Sequence, residues 1–471
     1  MVPTRTSTFT EPHVTLTQTV EPPSEISPSD VNNPARKIAF YCAAAMVFLR
    51  VSMLHQLLTY EMHVNLYYLY VFGIPAIMGV LLSGGVQRTF YGKAAYCWVG
   101  FTAWLLISVP FSTWHGGSFP LVSGYVRTDI PILFMVAGLT LTWKEFRLML
   151  WVMAWSGVVN IAAAKLFMVS GNTNYGYRLA LTAGTVSDPN DFAAHMLFVS
   201  PFLLWVVFTS KSAVMRMFFL VCSCTSAFII LKTASRGAAV AMAVFFLYYL
   251  WRATPKQKIV TIVLLPIGLA IGAATVSPEA LRRILSFAGQ HNSVEEAVES
   301  QQARKYLFLK SLEYTIKFPL FGVGAAQFST YEAFHNEVGG MRHGMAHSTH
   351  CSFTQVSAEC GIPALLFFVF GIILTYTQTA RMYRQTRGQP ANQDIRAAAF
   401  CILLSMVGFT VAITFLNFGY FFYQPLHAAL AIALTRTGKE ELRERALTPV
   451  AAKPALFRAA GWRLPQRGYA G

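Results

Sequence analysis

The sequence predicts an all-α polytopic membrane protein with about twelve transmembrane helices. Three observations carry that expectation. Only 12% of the 471 residues are charged and 55% are hydrophobic, about half the charge that a soluble domain spreads over its surface. Apolar runs able to cross a hydrocarbon core recur along the chain. Lysines and arginines gather on alternate connections between those runs, the bias that fixes the orientation of a polytopic chain. A net charge of +16 also occurs in nucleic-acid binders. Here it is spread thinly between apolar runs, so no nucleic-acid partner is expected.

Residues 1–36 are rich in Thr, Ser, Pro and Glu and read as a disordered cytoplasmic tail. Nine spans are expected in 37–276, near 38–57, 64–83, 95–112, 128–143, 147–168, 192–208, 216–231, 237–252 and 258–276. Three more fall in 362–436, near 362–379, 397–417 and 421–436, ahead of a basic cytoplasmic tail, 437–471. With the chain starting inside, the inner connections hold Arg88, Lys93, Lys144, Arg147, Lys211, Arg216, Arg252, Lys256, Lys258, Arg381, Arg384, Arg387 and Arg396. The short outer ones hold only Arg127, Arg178, Lys232 and Arg236. Most of the positive charge is thus an orientation signal, with contact to anionic membrane lipid a secondary role for the tail. Arg50 and Lys165 fall inside spans. Lys165 is close enough to an end to snorkel, and Arg50 is either half of a buried pair or functional.

The seven cysteines are an odd number and lie mostly in apolar runs, so no disulfide framework is expected. Cys351 and Cys360 stand nine residues apart in a stretch read as helical, a rise of about 13 Å, too far to bridge.

Residues 277–361 break the pattern of short connections and read as a long, largely helical outer loop between the ninth and tenth spans. Loops of such length usually carry function. This one holds His291, His335, His343, His347 and His350 out of eleven histidines in the chain. From about Val294 to Lys317 acids precede bases, the order that suits a helix dipole, and Arg304, Phe308 and Leu312 share a face. Pro319 ends that helix, and Gly322 and Gly324 allow close backbone approach. A second helical stretch is expected from near Ala346 through His347, His350 and Gln355 to Gly361.

Within this loop the run Thr349-His350-Cys351 through Gln355 and Glu359 to Gly361-Ile362-Pro363 resembles a motif of the O-antigen ligase and polymerase superfamily, in which a His precedes a Gly by eleven residues. Arg304 followed by Pro319-Leu320-Phe321-Gly322-Val323-Gly324 and Phe328 is similar to the family's Arg, Pro-x-x-Gly-x-Gly and Phe. Ser235-Arg236-Gly237 and Asp188-Pro189-Asn190 resemble two further motifs of the family. Cys351 and Ala364 depart from its usual residues. His347-Ser348 matches the family's dipeptide better but misplaces the glycine, so both histidines stand as candidates for the base, His350 ahead.

The resemblance implies a GT-C-like glycosyltransferase of the bacterial inner membrane, with its site facing the periplasm. Its donor would be a glycan on undecaprenyl diphosphate, its acceptor lipid A-core, and it would use no cofactor and no metal. Alternatives with the same donor are an O-antigen polymerase and a protein O-oligosaccharyltransferase. Such transfer needs a base for the acceptor hydroxyl, a task that suits a histidine, and positive charge for the departing diphosphate, which suits arginine forks. His350, Arg304 and Arg236 are the expected catalytic residues, with His347 as the rival base. Arg236 follows Ser235, a good N-cap, so an anion would meet it at the positive end of a helix. Arg178, Lys232, Asn190 and Gln355 are expected to help bind substrate. The chain has no Asp-x-Asp pair, the usual holder of a divalent ion on a diphosphate.

Two other classes compete. His343, His347 and His350 at helical spacing would suit a zinc site, though no carboxylate base falls between them as in His-Glu-x-x-His. Twelve spans would suit a carrier, but no half-repeat is apparent and the polarity gathers in one asymmetric loop.

Overall fold

A computed structural model describes residues 28–447, except 66, 170–177, 182–183, 254–257, 260–261, 263–277, 286–294, 336, 339–340 and 343–346. The chain is an all-α bundle with two small β pairs. In order, the helices are α1 (Pro28–Asn32), α2 (Pro34–Val51), α3 (Leu54–Met62), α4 (Tyr68–Leu82), α5 (Gly85–Thr89), α6 (Lys93–Ser108), α7 (His115–Gly124), α8 (Pro131–Leu139), α9 (Trp143–Leu166), α10 (Pro189–Thr209), α11 (Ala213–Lys232), α12 (Arg236–Arg252), α13 (Pro278–Leu285), α14 (Glu295–Lys317), α15 (Phe328–His335), α16 (Ser352–Gln385), α17 (Gln393–Ala412) and α18 (Tyr423–Leu447). Met168–Val169 pairs with Ala180–Leu181 and Glu337–Val338 with Met341–Arg342, both antiparallel.

Among the described residues seven helices are long and apolar enough to cross a membrane, and the bent pair α2–α3 makes an eighth if it is one span. The expected twelve is not reached by that measure, because α4 has 15 residues and α12 has 17, α18 carries its charged residues along too much of its length to qualify, and the ninth expected span, 258–276, lies largely outside the described residues. α10 is the central helix, buried on every face along most of its length and packed on α9, α11 and α17. Gly157 on α9 lets Leu203 of α10 seat against the helix backbone.

Several expected boundaries shift, each for a physical reason. The first span breaks at Ser52–Met53, where Met53 takes a left-handed conformation and the chain turns by 68°. The fourth is composite. α7 runs into a π-helical turn, Tyr125–Asp129, and then α8, and the turn aims Asp129 at Arg50, 2.9 Å away. Arg50 is therefore half of a buried pair.

The tail expected over 1–36 is helical from Pro28, because polarity alone mislocates a boundary where an arginine is buried. Asn33 caps α2 by accepting from the Ala35 and Arg36 amides. Arg36 itself is fully buried and donates to Leu139 O, Val31 O and Glu145 Oε1 at 2.9, 2.9 and 2.7 Å. Glu145 also closes a capping box with Thr142 at the start of α9.

At the other terminus α18 runs past the expected end at 436 to Leu447, so the expected basic tail is helical in its first part. Arg436 is buried and donates to the carbonyls of Arg88, Ala137 and Thr140, satisfying helix-terminal acceptors that hydrocarbon could not. Arg445 grips Asp394 with two guanidinium nitrogens, at 3.0 and 2.9 Å. Residues 448–471 lie outside the described part.

Removing Glu145 would leave Arg36 buried without its carboxylate. Glu145→Ala is predicted to cost about 3 kcal/mol, measured as a lower thermal unfolding midpoint in detergent, whereas Lys439→Ala, at an exposed contact, leaves the midpoint nearly unchanged.

Candidate active site

The site is built where α16 breaks. Gly361 has φ 83° and ψ 174° inside that helix, and Pro363 has no N–H to offer Glu359 O. The freed carbonyls find other donors. Val323 N reaches Ala358 O at 2.9 Å, Gly324 N reaches Glu359 O at 2.8 Å, and Trp104 Nε1 reaches Cys360 O at 3.0 Å. In return Ile362 N donates to Pro319 O at 2.8 Å. A Cβ at Gly361 would run into Leu320 O, and one at Gly322 into the Glu359 carbonyl group. The Pro-x-x-Gly-x-Gly run is thus a backbone dock, not a phosphate cradle. Phe321 locks it, stacked on Phe111 with centroids 4.0 Å apart and facing Trp104 at 5.4 Å. The Glu359 carboxylate accepts from Ala326 N and Phe328 N, capping α15.

His350 and His347 precede α16 rather than riding on it, which corrects the helix expected from Ala346. His350 is in the left-handed region, φ 51°, and Cys351 is extended. The connection between α17 and α18 holds them so. Thr349 Oγ1 donates to Asn417 Oδ1 at 2.8 Å, Asn417 Nδ2 donates to Ser348 Oγ, Ser352 Oγ donates to Leu416 O at 2.7 Å and accepts from Phe418 N at 2.8 Å. A left-handed non-glycine residue costs energy and persists only where its surroundings enforce it. Without a shared helix face His347 and His350 lose the spacing a zinc site needs, and His343 lies outside the described residues. Among the described residues no three His, Cys, Asp or Glu side chains gather as a metal set.

Facing this loop are two helix starts. Asp188 caps α10, accepting from Asn190 N at 2.7 Å and Asn190 Nδ2 at 2.9 Å. Ser235 caps α12, accepting from Ala238 N at 3.3 Å, just after Ala234 with φ 47°. Arg236 is the first residue of α12 and is half-buried. Arg178 ties the two starts together. It is buried, and donates from Nε to Thr233 O at 3.0 Å and from Nη2 to Asn190 Oδ1 at 2.8 Å. Arg178 and Asn190 therefore brace the site.

Arg304, on α14, closes a narrow cleft whose walls are Asn190, Ser235, Gly237, Phe415 and Leu416. Burial lowers its pKa. Asp188 and Asp191 oppose that shift, and the like charge of Arg283 on α13 adds to it. His350 is pushed down to about 4, first by burial, then by Arg304, with Asp188 opposing and His347 adding a little. At neutral pH its imidazole is neutral, within the field of that arginine.

The structure brings Arg304, Asn190 and the Arg236 helix start around one cleft, with His350, and His347 beside it, within the field of Arg304. It does not bring Gln355 there, since the Gln355 carboxamide oxygen accepts from Gly419 N at 3.2 Å, nor Lys232, whose ammonium lies over the Phe228 ring. Sequence reasoning missed Arg283 and Asn417. Arg283 had a signal, a base in the long loop segment; Asn417, one polar residue between two spans, had none.

Residues 218–369 match the family model Wzy_C, described as O-Antigen ligase. About a third of the chain is therefore similar to the O-antigen ligase family. That stretch runs from α11 to the early part of α16 and includes Arg236, Arg304 and His350; Arg178 and Asn190 lie before it. The O-antigen ligase family consists of glycosyltransferase-like enzymes that act on lipid-linked sugars. None of the curated proteins matches the chain.

Because Arg304 is the second cause of the low His350 pKa, Arg304→Ala is predicted to raise it from about 4 part of the way toward 6.5, burial keeping the rest. Imidazole NMR on the detergent-solubilised protein measures this. In the unsubstituted protein the depressed pKa contributes stability that is fully present above pH 6.5 and is lost as the pH falls toward 4.

Proposed function

We propose that the chain is an O-antigen ligase that moves a preassembled glycan from undecaprenyl diphosphate to a sugar hydroxyl of lipid A-core, at the periplasmic face of the bacterial inner membrane. The observation that carries this reading is a partly buried guanidinium at a cleft: Arg304 closes it, feels the like charge of Arg283 as well as Asp188 and Asp191, and acts on a neutral histidine, in a stretch that matches the O-antigen ligase family model. A charge held in a desolvated place is costly, and a polyanion pairing with it relieves that cost.

In this reading His350 takes the proton from the acceptor hydroxyl. The oxygen attacks the anomeric carbon, the bond from that carbon to the phosphate oxygen breaks, and the electron pair leaves with the diphosphate, which Arg304 and Arg236 stabilise. Direct displacement inverts the anomeric configuration. Asn190 and Arg178 hold the α10 and α12 starts in register. Arginines do here what a divalent cation does in many diphosphate enzymes.

A histidine at about pKa 4 is a weak base, and the donor corrects that. Bound diphosphate offsets the field of Arg304, so the His350 pKa rises in the complex. The acid limb of kcat/KM, which reports the free enzyme, is predicted near pH 4, and that of kcat at a higher pH. Coincident limbs in a pH-rate study on vesicles would count against His350 as the base.

His350→Ala and Arg304→Ala are each predicted to lower transfer by at least about a hundredfold in a protein that still inserts. Arg236→Lys also loses much of its rate, because an ammonium lacks the fork. Full activity of His350→Ala beside an inactive His347→Ala would move the base to His347. The acceptor is tested in reconstituted membranes offering lipid A-core against a second lipid-linked glycan. Capped lipid A-core is expected; growth of the lipid-linked glycan alone sinks the ligase reading.

A further inference from the structure

Transfer between two membrane-anchored substrates needs two places for hydrocarbon, and the diphosphate cleft on α10, α12 and α14 accounts for one. A second lies across the bundle. α2 and α4 touch toward one end, where a Cβ on Gly79 would overlap Ala39, and they part toward the end that carries the site. There a Cβ on Gly73 would meet nothing within 4 Å. The result is a groove of about 160 Å³, lined by Met46, Tyr70, Gly73, Ile77 and Pro131 and bordered by Arg127. From Tyr70 to Ile77 it follows α4 for about 10 Å.

Arg127 is exposed at the groove mouth, at the site end of the bundle. Its Nε donates to Ser123 O at 3.1 Å, and among the described residues no acid pairs with it. An apolar trough topped by a guanidinium is the complement of a phosphate-bearing acyl lipid. The groove is also next to the chemistry. Its wall residue Thr128 is followed by Asp129, which pairs with Arg50 at 2.9 Å. Arg50 lies over Phe422, and Tyr423 beyond it is within electrostatic range of Asp191, as Arg304 is.

We infer that the groove between α2, α4 and α8 seats an acyl chain of the acceptor lipid, with a lipid phosphate on Arg127. This rests on the ligase reading for the identity of the lipid. The test uses Gly73→Phe, which grows into open space rather than into the protein, and Arg127→Gln. Initial transfer rates on vesicles are measured against lipid A-core at saturating donor, and against donor at saturating lipid A-core. Both variants should raise the KM for lipid A-core about fivefold or more, with kcat and the donor KM unchanged. An unchanged acceptor KM, or a rise in the donor KM instead, overturns the assignment.

A second measurement needs no turnover. With p-benzoylphenylalanine in place of Ile74, photo-cross-linking in phosphatidylethanolamine vesicles containing lipid A-core should enrich lipid A-core above its share of the membrane. Capture in proportion to bulk lipid, or of the donor, overturns the groove. Absence of transfer by the unsubstituted protein would defeat the ligase reading, and the cross-link would still decide the groove.

Discussion

A helix that breaks inside a membrane protein must find donors for the carbonyls it frees, and the site depends on how this chain does so. Gly361 and Pro363 interrupt α16, and the amides of Val323 and Gly324 with the Trp104 indole take up Ala358, Glu359 and Cys360. Because the two amides come from the segment just after α14, the helix that carries Arg304 is fixed to the helix that follows His350, while Trp104 ties in α6. Unsatisfied backbone groups in hydrocarbon cost several kcal/mol each. The docking is therefore strongly enforced, and it accounts for glycine at 322 and 361, where any Cβ would collide with backbone.

Arginines serve two opposite ends in this fold. Arg36, Arg436 and Arg445 meet carboxylates or a set of helix-terminal carbonyls, and they fasten the basic end of the bundle. Arg304 instead is partly buried, and Asp188 and Asp191, which outweigh the like charge of Arg283, only partly offset the cost of that burial. The terminal guanidinium nitrogens of the first group meet their acceptors within the protein. Among the described residues Arg304 has no such complete set of acceptors, and burial first, then its field, holds the His350 pKa down.

Spans from hydropathy and the helix over 295–317 were legible in the sequence, since both rest on local periodicity. The residue types gathered at the candidate site were named there too: a histidine and arginines on connections that the expected orientation leaves poor in charge. The loop carrying His350 was misread as helix, because its side-chain pattern permits one and the restraint comes from Asn417 and Ser352 contacts across the bundle. Arg178 had the look of a ligand-binding base, yet its guanidinium is committed to Thr233 and Asn190. Gln355 likewise belongs to the α17–α18 connection through Gly419.

By itself the sequence determined that the chain crosses a membrane many times and which residues have the chemistry for an anionic, lipid-linked sugar. Apolar content, charge bias and motif spacing are properties of short stretches. Only the tertiary structure decided which bases face one another, which are consumed as braces, and where α2 and α4 part. Those outcomes depend on contacts between segments hundreds of residues apart, where a single carbonyl without a donor or a glycine without a Cβ settles the packing.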